Sequence, residues 1–226
     1  MIKAVLFDLD DTLLDREASV RYFVEQQYER FRPALVHLPQ TAYVKRFMTL
    51  DQHGLAPKDE VYRQLVSELE ITDLSWSVLV EDYFGQFDRY CLNLPGLELM
   101  LQTLTAQQRM LGIITNGPSP FQQQKIKAMG IAAYFAVILV SAEEGIKKPT
   151  PEIFRRAIAK LGVTAAETIF VGDNPQTDID GAQKFGMQTV WKRVPFWGDC
   201  PTPDAVCDDL AQLPIIVESL EAGLQV

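Results

Sequence analysis

The chain is short of the residues that mark disulfide scaffolds, membrane proteins and nucleic-acid binders. Its cysteines number three, Cys91, Cys200 and Cys207. An odd count with no Cys-x-x-Cys spacing fits no disulfide framework, so reduced thiols and a cytoplasmic location are expected. No apolar run approaches the roughly 20 residues that cross a bilayer. The opening Met1-Ile-Lys-Ala-Val-Leu-Phe is cut short by Asp8, so it reads as neither a leader nor an anchor. Positive charge is also scarce: 21 Lys and Arg against 30 Asp and Glu give a net charge of −9. Such a surface repels phosphate backbones and anionic lipid, which argues against nucleic-acid and membrane partners. Internal repeats and low-complexity stretches are absent too. What remains is an ordinary globular balance, 47% apolar and 23% charged in 226 residues. That is enough for one domain carrying a smaller inserted one.

Five short apolar runs, each closed by Gly, Asn, Asp or a turn, read as strands buried on both faces of a parallel sheet: residues 2–7, 110–114, 137–140, 168–171 and 189–191. Between them lie helical patterns. Pro95-Gly96 opens residues 97–107, and Ser119-Pro120 offers an N-cap and first-turn proline for 121–129. Thr150-Pro151 opens a helix ending near Gly162, and 177–185 closes at Gly186. This alternation predicts an α/β fold with a Rossmann-like, doubly wound parallel sheet.

Residues 16–92 interrupt the alternation. They hold no convincing strand, read as helix over 20–31, 41–50, 61–69 and 76–90, and are dense in aromatics whose helical spacing predicts a core. The expected division is therefore a core of residues 1–15 and 93–226 with an all-helical insert at 16–92. Near the C-terminus Trp191, Phe196 and Trp197 read as core, or else as part of a contact surface.

Ligands of open parallel sheets bind beyond the carboxyl ends of the strands, so the polar residues there are the informative ones. Asp8 and Asp10 follow the first strand. Two carboxylates two residues apart can face the same way, and they then need a cation or a shared proton. Mg²⁺ answers that need, because it prefers oxygen ligands and takes few carboxylates. Asp173, after the fourth strand, could complete the site. Alone, each of these acids also fits a solvated, capped turn. Thr115-Asn116-Gly117 offers a hydroxyl, an amide and backbone N–H groups, the makings of a phosphate pocket or of an ordinary turn. Lys147-Lys148 could neutralise accumulated negative charge or be a surface pair.

Taken in order, four segments resemble the motifs of the haloacid dehalogenase superfamily: Asp8-Leu9-Asp10-Asp11-Thr12, Thr115-Asn116-Gly117, Lys148-Pro149 within Gly145 to Phe154, and Gly172-Asp173 with Asp178. The resemblance covers nearly the whole chain. It implies that Asp8 is the nucleophile of a phosphatase and Asp10 the acid and base. It implies that Thr115, Asn116 and Lys148 hold the phosphoryl group. Asp8, the Asp10 carbonyl and Asp173 would bind Mg²⁺, with Asn174 and Asp178 in support. The insert is similar to the family's helical cap, which closes over the site and meets the leaving group. Within it the polar stretch 51–58, with His53 and Lys58, is the expected specificity loop. The partner is then a small phosphorylated metabolite, and the protein a monomer or homodimer. Sugar-phosphate phosphomutases share this chemistry. Metal-independent 2-haloacid dehalogenases generally lack the second aspartate, so Asp10 argues against them. A non-catalytic binding protein on the same fold would be expected to have lost Asp8 or Asp10.

Overall fold

In the computed structural model, which describes residues 1–199 and 202–223, the continuous apolar runs become strands. These five and one further strand form one sheet: β1 (Ala4–Phe7), β2 (Met110–Thr115), β3 (Val137–Val140), β4 (Thr168–Gly172), β5 (Gln188–Lys192) and β6 (Ala205–Cys207). The order is β3-β2-β1-β4-β5-β6 and every neighbouring pair is parallel. Residues of β1 and β4 are buried throughout, as strands covered on both faces must be. The doubly wound class follows as the alternation predicts.

β6 was not anticipated from the sequence. Its three residues alternate buried, exposed, buried, which is too short a pattern to stand out at the sheet edge. Cys207 lies in it as a buried thiol, and neither it nor Cys91 is in a disulfide; Cys200 falls outside the described residues.

The chain divides into two compact units, Met1–Asp15 with Asn93–Val226 and Arg16–Leu92. In the second unit the helices are α1 (Arg16–Arg30), α2 (Arg32–Leu35), α3 (Gln40–Asp51), α4 (Lys58–Glu68) and α5 (Trp76–Gln86). Its core is aromatic. Phe23 packs edge-on to Tyr83 with ring centres 5.1 Å apart, and Phe47 meets Tyr62 at 5.2 Å. Gln27 lies among these rings. Its Oε1 accepts from the hydroxyls of Tyr43 (3.0 Å) and Tyr62 (2.8 Å), while its Nε2 donates to the Leu79 carbonyl (3.0 Å) and Asp82 (2.9 Å). A buried amide with all these partners orders the bundle instead of weakening it. Not every aromatic is core, however: Tyr22 and Phe84 are exposed.

In the first unit the helices are α6 (Leu97–Ala106), α7 (Phe121–Ala128), α8 (Ser141–Glu144), α9 (Pro151–Leu161), α10 (Gly181–Lys184) and α11 (Leu213–Glu221). Helix α9 turns Ile153, Phe154, Ala157 and Leu161 inward at helical spacing and stops at Gly162, whose φ of 69° suits a residue without a Cβ. Two local expectations fail. Ser119 does not cap α7: Pro120 takes the N-cap position, and the Ser119 hydroxyl donates to Glu143 at 2.5 Å. The segment 177–185 is not one α-helix. It winds as a π-turn over Pro175–Asp180 before α10, capped by the Asn174 side chain, which accepts from the backbone N–H groups of Gln176 and Thr177.

Candidate active site

The order of the sheet places its switch point between β1 and β4, the crevice where parallel sheets bind ligands. Asp8 leaves β1 there. Its N–H still donates to the Val171 carbonyl at 2.9 Å, so the ladder to β4 continues one residue past the strand and fixes the Asp8 backbone. The next residues fold back tightly: Asp11 adopts φ 59°, and the N–H groups of Leu13 and Leu14 both donate to the Leu9 carbonyl.

Asp8 is only 8% exposed. Lys148 donates from Nζ to its Oδ1 at 2.6 Å and pairs with Asp178 Oδ1 at 2.8 Å. Lys147 faces solvent, so of the adjacent lysines it is Lys148 that is buried in the site. Burial alone would strip its proton, but Asp178 and Asp8 outweigh burial and hold it cationic. Asp178 is itself fixed. Its Oδ1 also accepts from the Thr177 hydroxyl at 3.2 Å, and its Oδ2 from the Asn174 N–H at 3.1 Å. Gly172 makes room for it: a Cβ there would lie 2.5 Å from the Cβ and Oδ2 of Asp178.

Asp173 leaves β4 beside Asp8. Its Oδ2 accepts from the Trp197 indole N–H at 2.5 Å, its Oδ1 from the Thr12 hydroxyl at 3.4 Å, and its carbonyl from Trp191 at 2.7 Å. Oxygens of Asp8, Asp173 and Asp178 lie within 4.8 Å of one another. Three carboxylates facing one lysine leave an excess of about two negative charges when all are ionised. The titration behaviour reflects it. Burial raises Asp8 to about 7 against the pull of Lys148, with Asp178 and Asp10 adding repulsion. Burial, then Asp178 and Asp8, raise Asp173 well above the usual carboxylate range despite the Trp197 hydrogen bond. Hard oxygen donors with uncompensated charge fit a divalent cation such as Mg²⁺.

The Asp10 side chain belongs to a different neighbourhood. Lys125 donates to both of its oxygens at 2.6 Å, and Gln122 Nε2 donates to its Oδ2 at 2.9 Å. The same Gln122 nitrogen donates to Thr115 Oγ1 at 2.6 Å. Thr115, ending β2, is thus tied to Asp10 through one side chain.

Three sequence expectations change here. The Asn116 side chain is committed to the Lys148 backbone and not to a phosphate pocket: its Nδ2 donates to the Lys148 carbonyl (3.1 Å) and its Oδ1 accepts from the Lys148 N–H (2.9 Å). The amide engages both backbone groups of Lys148, so Asn116 secures the lysine. The Asn174 side chain likewise spends its acceptor on the π-turn. Trp197 is half-buried on Asp173 and Phe196 is 48% exposed, so only Trp191 of that trio is core.

In the helical unit, Lys58 does not present its charge outward. Its Nζ donates to Asp51 Oδ1 at 2.5 Å, while Asp51 Oδ2 accepts from Arg16 (2.8 Å) and from the Gly54 N–H (2.9 Å). Gln52 and His53 adopt left-handed backbone at φ 45° and 56° within that turn. The buried Asp51 therefore organises the expected specificity loop and absorbs its lysine.

Lys125 and Gln122 were not singled out from the sequence. The signal was present: residues 122, 125, 126 and 129 form the inward stripe of the helix after Thr115-Asn116-Gly117, and the first two are polar. Trp197, by contrast, carries no periodic mark.

Comparison with known proteins agrees with this geometry. The profile of the haloacid dehalogenase-like hydrolases matches residues 5–192. A phosphoserine phosphatase of Thermus thermophilus is 31% identical, over 84% of this chain and 88% of its own length. A glyceraldehyde 3-phosphate phosphatase of Pyrococcus abyssi is 34% identical, over 84% and 81%. Among solved structures, a haloacid dehalogenase-type hydrolase of Bacillus subtilis, crystallised bound to magnesium, superposes with a TM-score of 0.74 at 25% identity, covering 96% of this chain and 99% of that one. A 2-haloacid dehalogenase of Pseudomonas syringae shares the fold too, with a TM-score of 0.62 at 28% identity over 97% and 100%.

Proposed function

The chain belongs to the haloacid dehalogenase-like hydrolase family, and on that premise we propose that it is a Mg²⁺-dependent phosphatase acting through an aspartyl-phosphate on Asp8. The observation that carries the reading is the separation of two nearby carboxylates: Asp8 on Lys148, Asp10 on Lys125 and Gln122. Acids in different surroundings can take different chemical roles.

Asp8 is the nucleophile. With Oδ1 held by Lys148, Oδ2 attacks phosphorus, and the bond to the ester oxygen breaks as Asp10 delivers a proton to the departing alkoxide. Asp10, now a carboxylate, takes a proton from the water that attacks the aspartyl-phosphate. Inorganic phosphate leaves, Asp8 is restored, and Asp10 is again protonated. Splitting a very slow hydrolysis through a covalent intermediate lowers each barrier, and one group serves as acid and then base because the proton demand reverses. Thr115 donates its hydroxyl to the phosphoryl group, and Lys148 stabilises the charge that grows on it. Asp8, the Asp10 carbonyl and Asp173 would hold Mg²⁺, which when bound supplies neutralising charge and orients the phosphate. Asn116 acts at one remove, by fixing Lys148.

The substrate class is a primary phosphate monoester of a small metabolite. The substrates that the phosphoserine and glyceraldehyde 3-phosphate phosphatases are named for share that group and differ in what is attached to it. Purified protein should hydrolyse an aryl phosphate with Mg²⁺, lose the activity in EDTA and regain it on adding the metal. Full turnover in chelator would favour the dehalogenase type of chemistry instead.

A further inference from the structure

Helix α7 buries a lysine and a glutamine that the mechanism above does not use. Lys125 is 3% exposed and Gln122 is 2% exposed, on the inner face beside Ile126. A lysine does not stay charged in such a place without a partner, and its partner is Asp10, whose two oxygens lie at equal distances of 2.6 Å. Gln122 divides the two hydrogens of its Nε2 chiefly between Thr115 Oγ1 at 2.6 Å and Asp10 Oδ2 at 2.9 Å. A hydroxyl that accepts from Gln122 turns its own hydrogen elsewhere, so Thr115 is set as a donor. Gly117 opens the way for this side chain: a Cβ there would lie 2.8 Å from Gln122 Cδ.

We infer that α7 supplies two positioning residues for the reaction. Lys125 clamps Asp10 in place and stabilises the carboxylate that forms as its proton passes to the leaving group, and Gln122 ties that carboxylate to the phosphate-facing hydroxyl of Thr115. The inference rests on the phosphatase reading. It explains why a loop after β1 and a loop after β2, 105 residues apart at Asp10 and Thr115, work in register. Proton transfer is sensitive to misplacement by an ångström, and the bridge removes that freedom from both groups at once.

Leaving groups separate this role from a merely structural one. An alkyl phosphate needs its departing oxygen protonated; 2,4-dinitrophenyl phosphate does not. Lys125→Met keeps the volume and removes the clamp. Its kcat/KM for glycerol phosphate should fall about 10²-fold, and that for the dinitrophenyl ester by less than a tenth as much. Lys125→Arg restores a cation and should recover most of the loss. Gln122→Met should raise KM several-fold for both esters, since Thr115 loses its orientation. Equal losses of kcat/KM on the two esters in Lys125→Met, or no loss on either, would overturn the inference while leaving the phosphatase reading intact. A wild-type protein inactive on both esters would overturn that reading and this inference with it. If Lys125→Met does not fold, Lys125→Arg decides: a displaced cation should still penalise the alkyl ester more than the aryl one, and equal penalties refute the clamp.

Discussion

At the scale of single residues, the site sorts its acids by what each one faces. Asp8 faces Lys148, Asp173 faces the indole of Trp197, and Asp10 faces Lys125 and Gln122. The nucleophile is the least replaceable of these, since an amide cannot form the aspartyl-phosphate. Asp8→Asn should lower kcat by about 10³-fold or more with little change in thermal stability, measured by steady-state hydrolysis beside a melting curve. Much of this site was legible in the sequence because strand ends announce themselves: an apolar run stopped by Asp, Thr-Asn or Gly-Asp marks the carboxyl edge of a parallel sheet. Roles within the site were less legible. Asn116 and Lys58 look like substrate contacts by residue type, yet one grips the backbone of Lys148 and the other a buried carboxylate. Which partner a polar side chain meets depends on residues distant in sequence, and no local pattern encodes it.

At the scale of elements, two packing constraints can be tested. The turn after β4 places Asp178 against the Gly172 Cα, with Lys148 on its far side. Gly172→Ala should therefore cost about 1–3 kcal/mol of stability by overpacking, and should impair catalysis as well, because Asp178 cannot move without releasing Lys148. Denaturant unfolding and a kcat measurement on one preparation check both parts. In the helical unit, Asp51 is buried between Arg16 and Lys58, with side-chain exposures of 1%, 10% and 10%. Burial alone would raise its carboxyl, yet the two cations hold it below the ordinary value. Asp51→Asn removes the carboxylate that two partly buried cations share and should cost about 3–5 kcal/mol. The helices themselves were readable from periodicity. The π-turn and β6 were not, the first because a single widened turn leaves no mark on apolar spacing, the second because three edge residues show no pattern.

At the scale of the whole molecule, the same carboxylates make stability depend on pH and metal together, in opposite directions at two places. Asp8, raised from 3.8 to about 7 by burial, binds its proton more tightly when folded. Its contribution to the metal-free protein is fully present below the unfolded value and lost as pH rises towards 7, and Asp173 shifts in the same direction. Asp51, shifted down, contributes stability above the unfolded value that is lost as pH falls below it. Because Mg²⁺ competes with protons for Asp8 and Asp173, the rise in Tm on adding Mg²⁺ should be small near about pH 5 and should grow through about pH 8. Scanning calorimetry with Mg²⁺ or EDTA at each pH checks this; a shift independent of pH would remove these carboxylates from the metal site.

The account stands on Asp8 carrying the phosphoryl group between substrate and water, and acid quenching tests that directly. Mg²⁺-loaded protein, stopped in mid-turnover of a substrate radiolabelled in its phosphate, should yield labelled protein. The label should be released by hydroxylamine, as acyl phosphates are, and should map to the peptide bearing Asp8. Undiminished turnover in Asp8→Asn, with no label held by the wild-type protein at any quench time, would contradict the account.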